Sequence, residues 1–245
     1  MPQAGPKIRL FVPDDLGESA QVVLSRDQAH YLGGVMRQGV GDPVGLFNGR
    51  DGEWAADIAE IGKRSAVLTC REMVRPQSVP PDLWLCFAPI KKARTDFIAE
   101  KACEMGCRRV QPVFTRYTNS ERVRIDRLTA HAVEAAEQCG LVSIPEIAEP
   151  VTLTAMLEDW PADRALMFCD ESGGGVAAAQ ALAAAGPGPW AVLIGPEGGF
   201  APEEAARLRD MPGAVAVSLG PRVLRADTAA VAALAVWQSV LGDWR

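Results

Sequence analysis

Two short loops near the C-terminus combine glycines with charged side chains. The first signature loop is the run 195–199, Gly-Pro-Glu-Gly-Gly, and the second signature loop is the run 220–227, Gly-Pro-Arg-Val-Leu-Arg-Ala-Asp. Glycine lets main-chain N–H and C=O groups approach a ligand closely, because no Cβ stands in the way. Glu197, Arg222 and Arg225 add charged groups among these glycines. The combination favours a ligand-binding site, although a single turn of this kind also suits an ordinary strand-to-helix connection.

The elements around the loops indicate where they lie. Each loop follows a short apolar run, 190–194 or 214–219, and precedes a helical stretch, 202–209 or 228–241. A strand, a Gly-Pro turn and a helix, occurring twice, place both loops at one edge of a parallel sheet. Open α/β sheets bind ligands at that edge, outside the carboxyl ends of their strands. The sequence therefore predicts one site built from both loops.

The two loops also resemble those of a known enzyme family. Residues 195–200, GPEGGF, and 219–229, LGPRVLRADTA, are similar to the signature loops of ribosomal small subunit methyltransferase E, a family of the knotted SPOUT superfamily. Its members methylate N3 of a uridine in 16S ribosomal RNA with S-adenosylmethionine. The resemblance covers almost the whole chain. It implies an α/β fold with a C-terminal deep trefoil knot, preceded by a small PUA-like, RNA-binding β-barrel.

Two positions depart from the family pattern. Leu141 stands where the family usually has a basic residue, which leaves an RNA-binding role of that loop open. Ala226-Asp227 replaces the common Thr-Glu, and Asp227 keeps the carboxylate on a shorter side chain.

The resemblance implies a site for S-adenosylmethionine made largely of main-chain atoms and apolar side chains. The residues that it assigns to the cofactor are Leu193, Ile194, Gly195, Gly198, Gly199, Leu219, Gly220 and Leu224. A metal is not expected, because the only two histidines, His30 and His131, are far apart in the sequence.

The implied reaction suggests roles for the charged residues. Uracil N3 carries a proton that must leave before or during attack, so negative charge spreads to O2 and O4. Arg225, and secondarily Arg222, could stabilise that charge or hold a flanking RNA phosphate. Glu197 and Asp227 are both candidates for the proton acceptor, and the sequence does not rank them. Glu197 could instead cap the following helix, and Arg222 could simply pair with it.

Candidate RNA-binding residues occur in two other segments. His30 and Arg37 lie seven residues apart in a predicted helix, hence on one face, where they could contact RNA or simply be solvated. Lys91, Lys92 and Arg94 stand between a predicted strand and a helix. A helix N-terminus prefers anions, so cations there favour an external anion such as RNA phosphate.

The charge distribution is compatible with this interpretation. The chain has a net charge of −6, which by itself does not indicate RNA binding. The segment 91–127, however, contains ten Lys/Arg and five Asp/Glu, whereas the remainder is acidic. Such a segment could form an RNA-binding surface or a solvated helix face.

The proline-rich stretch 75–81 divides the chain. Short β-type runs before it predict a β-barrel or sandwich, with one helix at 26–37 that Ser25 caps. Alternating strands and helices after it predict a mostly parallel sheet with helices on both faces. The predicted organisation is a barrel at 1–74, a linker at 75–81 and a SPOUT-type α/β domain at 82–245. The predicted strands are 8–12, 21–25, 43–48, 53–61, 65–71, 83–90, 109–114, 165–169, 190–194 and 214–219, and the predicted helices are 26–37, 95–105, 126–139, 176–185, 202–209 and 228–241.

Composition predicts a cytoplasmic protein without membrane segments. No apolar run approaches the ~20 residues of a membrane span, and no apolar stretch follows the basic residues near the N-terminus. The six cysteines form no C-x-x-C pair and are expected to be reduced thiols.

The favoured function is methylation of a uridine N3 in 16S ribosomal RNA, free or in the small subunit. There are two alternatives. The first is another SPOUT RNA methyltransferase, acting on a ribose 2′-OH or on transfer RNA, and the second is a non-catalytic RNA-binding assembly protein.

The terminal helix 228–241 is apolar nearly all round, which predicts a homodimer unless helices of the same subunit cover it. One stripe along this helix consists of Val231, Leu234, Gln238 and Leu241. Val236, Trp237 and Val240 lie on other faces of the helix.

Overall fold

The computed structural model describes residues 5–120, 122–170 and 175–244, which form two compact units. The first unit comprises Met1–Val79 and Ala136–Ile144, and the second comprises Pro80–Ala135 and Pro145–Arg245. Residues 1–4 and 245, at the outer ends of the two predicted domains, lie outside the described residues. The segment Ala136–Ile144, which the predicted boundaries place in the C-terminal domain, is grouped with the first unit.

The first unit is a five-stranded sheet in the order β1-β3-β4-β5-β2. Strand β1 is parallel to β3, and the other neighbours are antiparallel. Alternate residues point into one apolar core, for example Val22, Leu24, Leu46 and Leu68. The strands are β1 (Arg9–Phe11), β2 (Gln21–Leu24), β3 (Pro43–Phe47), β4 (Glu53–Ile61) and β5 (Ala66–Arg75).

The helix predicted at 26–37 is shorter than expected. Helix α1 spans Arg26–His30, and Ser25 caps it through a capping box with Gln28. A π-helical turn, Tyr31–Val35, follows, and Arg37 has a positive φ of 56°. The turn contains two glycines, which stabilise a helix poorly, so the regular helix ends before it.

A buried ionic cluster explains why Ala136–Ile144 belongs to the first unit. The Glu53 carboxylate, whose side chain is 3% exposed, accepts hydrogen bonds from both Arg9 and Arg75. The Arg9 guanidinium also donates to the main-chain oxygens of Ala136 at 2.8 Å and Leu141 at 2.6 Å. The Arg9 side chain thus neutralises a buried carboxylate and binds the main chain of the segment Ala136–Ile144.

The second unit is a parallel sheet in the order β11-β13-β10-β12-β6-β7-β8, with β9 beside β7. Every pairing in it is parallel, as the alternation of strands and helices predicts. Its strands are β6 (Leu83–Phe87), β7 (Arg109–Phe114), β8 (Glu146–Ile147), β9 (Val151–Thr152), β10 (Ala165–Cys169), β11 (Val176–Ala177), β12 (Trp190–Ile194) and β13 (Ala214–Ser218). The helices are α2 (Lys92–Glu104), α3 (Ile125–Cys139), α4 (Leu153–Glu158), α5 (Ala178–Ala185), α6 (Pro202–Asp210) and α7 (Ala226–Val240).

Apolar layers cover both faces of this sheet. Residues of α2, α5 and α7 pack on one face, where Val192 and Ile194 of β12 lie. Residues of α4 and α6 pack on the other face, against Leu193 and Phe168. Because side chains alternate along a strand, neighbouring residues of β12 face different layers.

Several boundaries differ from the sequence prediction. The helix expected at 176–185 begins at Ala178, because Val176 and Ala177 pair with β13 as a strand. Strands β8 and β9 and helix α4 were not predicted, since elements of two to six residues give almost no periodicity.

Candidate active site

A large cavity lies at the carboxyl ends of β10, β12 and β13, which are neighbours in the sheet. Both signature loops line it, and its volume is about 780 Å³. Ligand pockets typically occupy roughly 300–1,000 Å³, so the cavity can hold a cofactor-sized molecule. The expectation that the two loops form one site therefore agrees with the structure.

Five of the eight residues predicted to bind the cofactor line the large cavity: Ile194, Gly195, Leu219, Gly220 and Leu224. Leu193 lies instead in the apolar layer on the opposite face of β12 and is fully buried there. Gly198 and Gly199 also do not line the cavity. A Cβ on Gly198 would lie 3.3 Å from the Cβ of Tyr117, so this glycine permits close packing against another loop.

The first signature loop is a closed turn. The Gly199 amide donates to the Pro196 carbonyl at 3.0 Å, and Gly199 has a φ of 71°. Glu204 caps the following helix α6, because its carboxylate accepts from the Ala201 amide at 3.0 Å. The same carboxylate also accepts from the Arg116 amide at 2.8 Å. Glu197 therefore does not serve as the helix cap. It is exposed and lines the large cavity.

The second signature loop is more exposed. Arg222 and Arg225 both line the large cavity and are exposed, and Val223 is 84% exposed. Arg225 occupies the N-cap position of α7, where its carbonyl accepts from the Ala229 amide at 2.7 Å. Within the described ranges, no ion pair joins Arg222 to Glu197, so the suggested pairing of these two residues is not found.

Asp227 forms an ion pair with Arg94. The Arg94 guanidinium lies 2.6 Å from the Asp227 carboxylate, and both side chains are partly buried. Asp227 does not line the large cavity. A candidate proton acceptor and a candidate RNA-binding cation thus bind each other and join the start of α2 to the start of α7.

Two residues at the end of β10 also line the cavity, and the sequence analysis missed them. Burial raises the pKa of the Cys169 thiol to about 12. The thiol therefore stays protonated at neutral pH and is a poor nucleophile. Asp170 is buried and accepts a hydrogen bond from Arg209 at 2.5 Å. Their position after a strand adjacent to β12 and β13 is the signal that could have identified them.

The other predicted RNA-binding residues are exposed. Lys91 is the N-cap of α2 and Lys92 is its first residue, so the helix begins earlier than predicted and includes Lys92 and Arg94. In the first unit, His30 and Arg37 do not share a helix face, because the helix ends at His30.

Four of the six cysteines, Cys70, Cys86, Cys103 and Cys107, are buried, and the expectation of reduced thiols stays a prediction. Among the described residues there is no cluster of three His, Cys, Asp or Glu side chains suited to a metal ion. In the same part of the chain, none of the helices is sufficiently long and apolar for a membrane span.

The second unit is a parallel α/β sheet with a glycine-lined cavity at its carboxyl edge, and the first unit is a small β-sheet domain. In agreement, residues 77–238 match the model of an RNA methyltransferase domain, and residues 24–69 match that of an RNA methyltransferase PUA domain. The chain thus contains the two domains of an RNA methyltransferase.

Curated relatives define the family more narrowly. The ribosomal RNA small subunit methyltransferase E of Synechocystis is 30% identical over 238 residues, covering 95% of this chain and 78% of the relative. That of Rickettsia conorii is 29% identical over 229 residues, covering 93% of both proteins. The chain belongs to the ribosomal RNA small subunit methyltransferase E family.

Solved structures agree with this assignment. A putative methyltransferase from Legionella pneumophila, in complex with the bound cofactor SAM, is 28% identical with a TM-score of 0.89, covering 96% of this chain and 98% of that one. The family's enzyme from Neisseria gonorrhoeae has the same fold, with a TM-score of 0.88 at 24% identity over 97% of this chain and 99% of that one. The predicted SPOUT-type α/β fold with a PUA-like domain is confirmed, and the trefoil knot stays a prediction.

Proposed function

We propose that this protein transfers a methyl group from S-adenosylmethionine to N3 of a uridine in 16S ribosomal RNA of the small ribosomal subunit. The main support is the large cavity, because both family signature loops converge on it. The similarity of the chain to a methyltransferase solved with bound SAM supports the choice of cofactor. The proposed location is the cytoplasm, where ribosomal RNA and reduced thiols are found.

The lining of the large cavity suits this cofactor. Ile194, Leu219 and Leu224 provide apolar surface for an adenine ring, while Gly195 and Gly220 leave main-chain groups accessible. A Cβ on Gly195 would lie 3.0 Å from the Phe200 ring, so a larger residue would have to displace that ring. When bound, S-adenosylmethionine supplies a methyl group activated by its positively charged sulfur.

The charged residues then have separate roles in the proposal. Glu197 is the carboxylate that accepts the N3 proton, because it lines the cavity while Asp227 is held by Arg94. Arg225 opposes the negative charge that spreads to O2 and O4 of the base, and Arg222 holds a flanking phosphate. Asp227 acts as a positioning residue that keeps Arg94 in place.

The experiment that tests the proposed function is primer extension on ribosomal RNA from a strain lacking this protein. Methylation of N3 blocks base pairing, so a polymerase stop on wild-type 16S RNA should disappear in that strain. Supplying the gene on a plasmid should restore the stop. An unchanged set of stops would contradict the proposal, and a lost modification in transfer RNA would favour another SPOUT activity.

We also propose that the protein is a homodimer. Helices α2 and α5 of the same subunit already cover part of α7, including Leu234 and Trp237. Val231 and Val236 remain only half-buried, and Val223 is 84% exposed. Such apolar surface favours a second copy as the partner. Sedimentation equilibrium should give about twice the monomer mass of 26.2 kDa, and a clean monomer would contradict the dimer.

A further inference from the structure

A second, small cavity adjoins the first signature loop, and it is distinct from the large one. Its volume is about 290 Å³, and the segments that follow β6, β7 and β12 line it. The order β10-β12-β6-β7 places these segments on the opposite side of the loop from the residues that follow β10 and β13. Pro196 and Glu197 line both cavities, so they form the wall between them.

The side chains of the small cavity combine three kinds of chemistry. Lys91 and Lys92 are exposed cations, and neither takes part in an ion pair within the described ranges. Tyr117 lines the same cavity and is 45% exposed, so its ring is accessible to a ligand. Asn119 and Ser120 add polar groups that can donate and accept hydrogen bonds.

Main-chain hydrogen bonds hold this lining in place. The Thr115 amide donates to the Thr118 hydroxyl at 2.9 Å, which closes the turn that presents Tyr117. The Arg116 amide donates to Glu204, the cap of α6, so this turn is tied to the helix that follows the first signature loop. On the other side, the Ile90 amide donates to the Thr95 hydroxyl at 3.0 Å and fixes the start of α2. A preorganised cavity loses less entropy when a ligand binds.

This set of groups fits one unstacked nucleotide of an RNA strand. Proteins that recognise single-stranded RNA stack its bases on aromatic rings and bind the base edges with polar side chains. Lysines bind the phosphates. An inorganic anion alone would leave the ring of Tyr117 without a function. The small volume matches a single nucleotide and not a longer segment.

We propose that the small cavity receives the target nucleotide, with its base on Tyr117 and its phosphate on Lys91 and Lys92. This inference rests on the proposed function and assigns the acceptor side of that same site. The base then meets the large cavity across Pro196 and Glu197, where the proposed proton acceptor lies. It also explains Gly198, since a side chain at this position would press on Tyr117.

The test compares binding of small ribosomal subunits, prepared from a strain lacking the protein, to Tyr117→Ala, Tyr117→Phe and a Lys91→Ala/Lys92→Ala double variant. Base stacking on an aromatic ring predicts about tenfold weaker binding for Tyr117→Ala and little change for Tyr117→Phe. The double variant should make the fall of log affinity with log salt concentration less steep, by about one unit of slope for each lysine. Arg207→Ala, which removes an exposed cation elsewhere in the second unit, should change neither quantity.

One further measurement separates the possible outcomes. Calorimetry with S-adenosylmethionine should give wild-type affinity in every variant, because none of these residues lines the large cavity. The binding assay needs no turnover, so it tests the small cavity even if the wild-type protein transfers no methyl group. Absence of methyl transfer would contradict only the proposed function. Subunit binding by Tyr117→Ala within about twofold of wild type would overturn the inference. A parallel loss of cofactor affinity would also overturn it and would assign Tyr117 to support of the first signature loop.

Discussion

The two signature loops follow neighbouring parts of one parallel sheet, yet they use glycine for different reasons. In the first loop, Gly195 lies against the Phe200 ring and Gly198 against Tyr117, so close packing favours a small residue at both positions, and Gly199 alone has a positive φ. In the second loop, Gly220 has no neighbouring atom within 4 Å of an added Cβ, but its φ is +111°. The first loop is a packed wall between two cavities, and the second is an exposed arm above one of them. Substitutions should therefore act through different steps in the two loops.

The largest expected effect concerns Glu197 of the first signature loop. Glu197→Gln should lower kcat by about 10²–10⁴-fold, the usual contribution of a general base. Affinity for S-adenosylmethionine should stay unchanged, because the substitution preserves the shape of the side chain. Single-turnover methyl transfer at saturating cofactor measures the effect, and Glu203→Gln, an exposed carboxylate on α6, is the matched control. Full turnover by Glu197→Gln would remove this residue from the mechanism.

The exposed arm supplies the next effect. Arg225→Ala should lower kcat by about 10²–10³-fold, as expected when a group that opposes developing charge is lost. Cofactor affinity should fall much less. Arg222→Ala should mainly raise KM for the RNA, so the same steady-state measurement distinguishes the two arginines. If both variants lowered kcat and raised KM to the same extent, the second signature loop would act as a single binding surface.

The smallest expected effect tests the backbone of the arm. Gly220→Val should weaken S-adenosylmethionine binding about tenfold or more, because a β-branched residue at this φ carries roughly 1–3 kcal/mol of strain. Gly186→Val is the matched control, since Gly186 has a φ of +82° and open space around it but lies outside the large cavity. Both variants should lose stability, and only Gly220→Val should lose cofactor affinity in calorimetry. Unchanged affinity in Gly220→Val would place the cofactor elsewhere.

The sequence predicted the strands that position the loops well. The strands predicted at 109–114, 165–169 and 190–194 have the bounds of β7, β10 and β12, because short, mainly apolar runs bounded by turn residues are typical of buried strands. The same pattern failed at residues 26–37, where two glycines end the regular helix early.

The sequence could predict the part of the site that the two signature loops form, but not the contacts between distant segments of the chain. Leu193 was assigned to the cofactor although the two-residue repeat of a strand turns it into the opposite layer. The pair Arg94–Asp227 joins residues that are 133 positions apart, a contact that spacing alone cannot reveal. Tyr117 was overlooked for a similar reason, since its role depends on the adjacency of β6, β7 and β12 in the sheet.

The most direct test of the central claim is to identify the product. The purified protein is incubated with methyl-labelled S-adenosylmethionine and small subunits from a strain lacking it, and the RNA is digested to nucleosides. The account predicts that 3-methyluridine is the only labelled nucleoside and that Glu197→Gln yields almost none in the same time. Label on a ribose 2′-oxygen, or no label in 16S RNA, would contradict it.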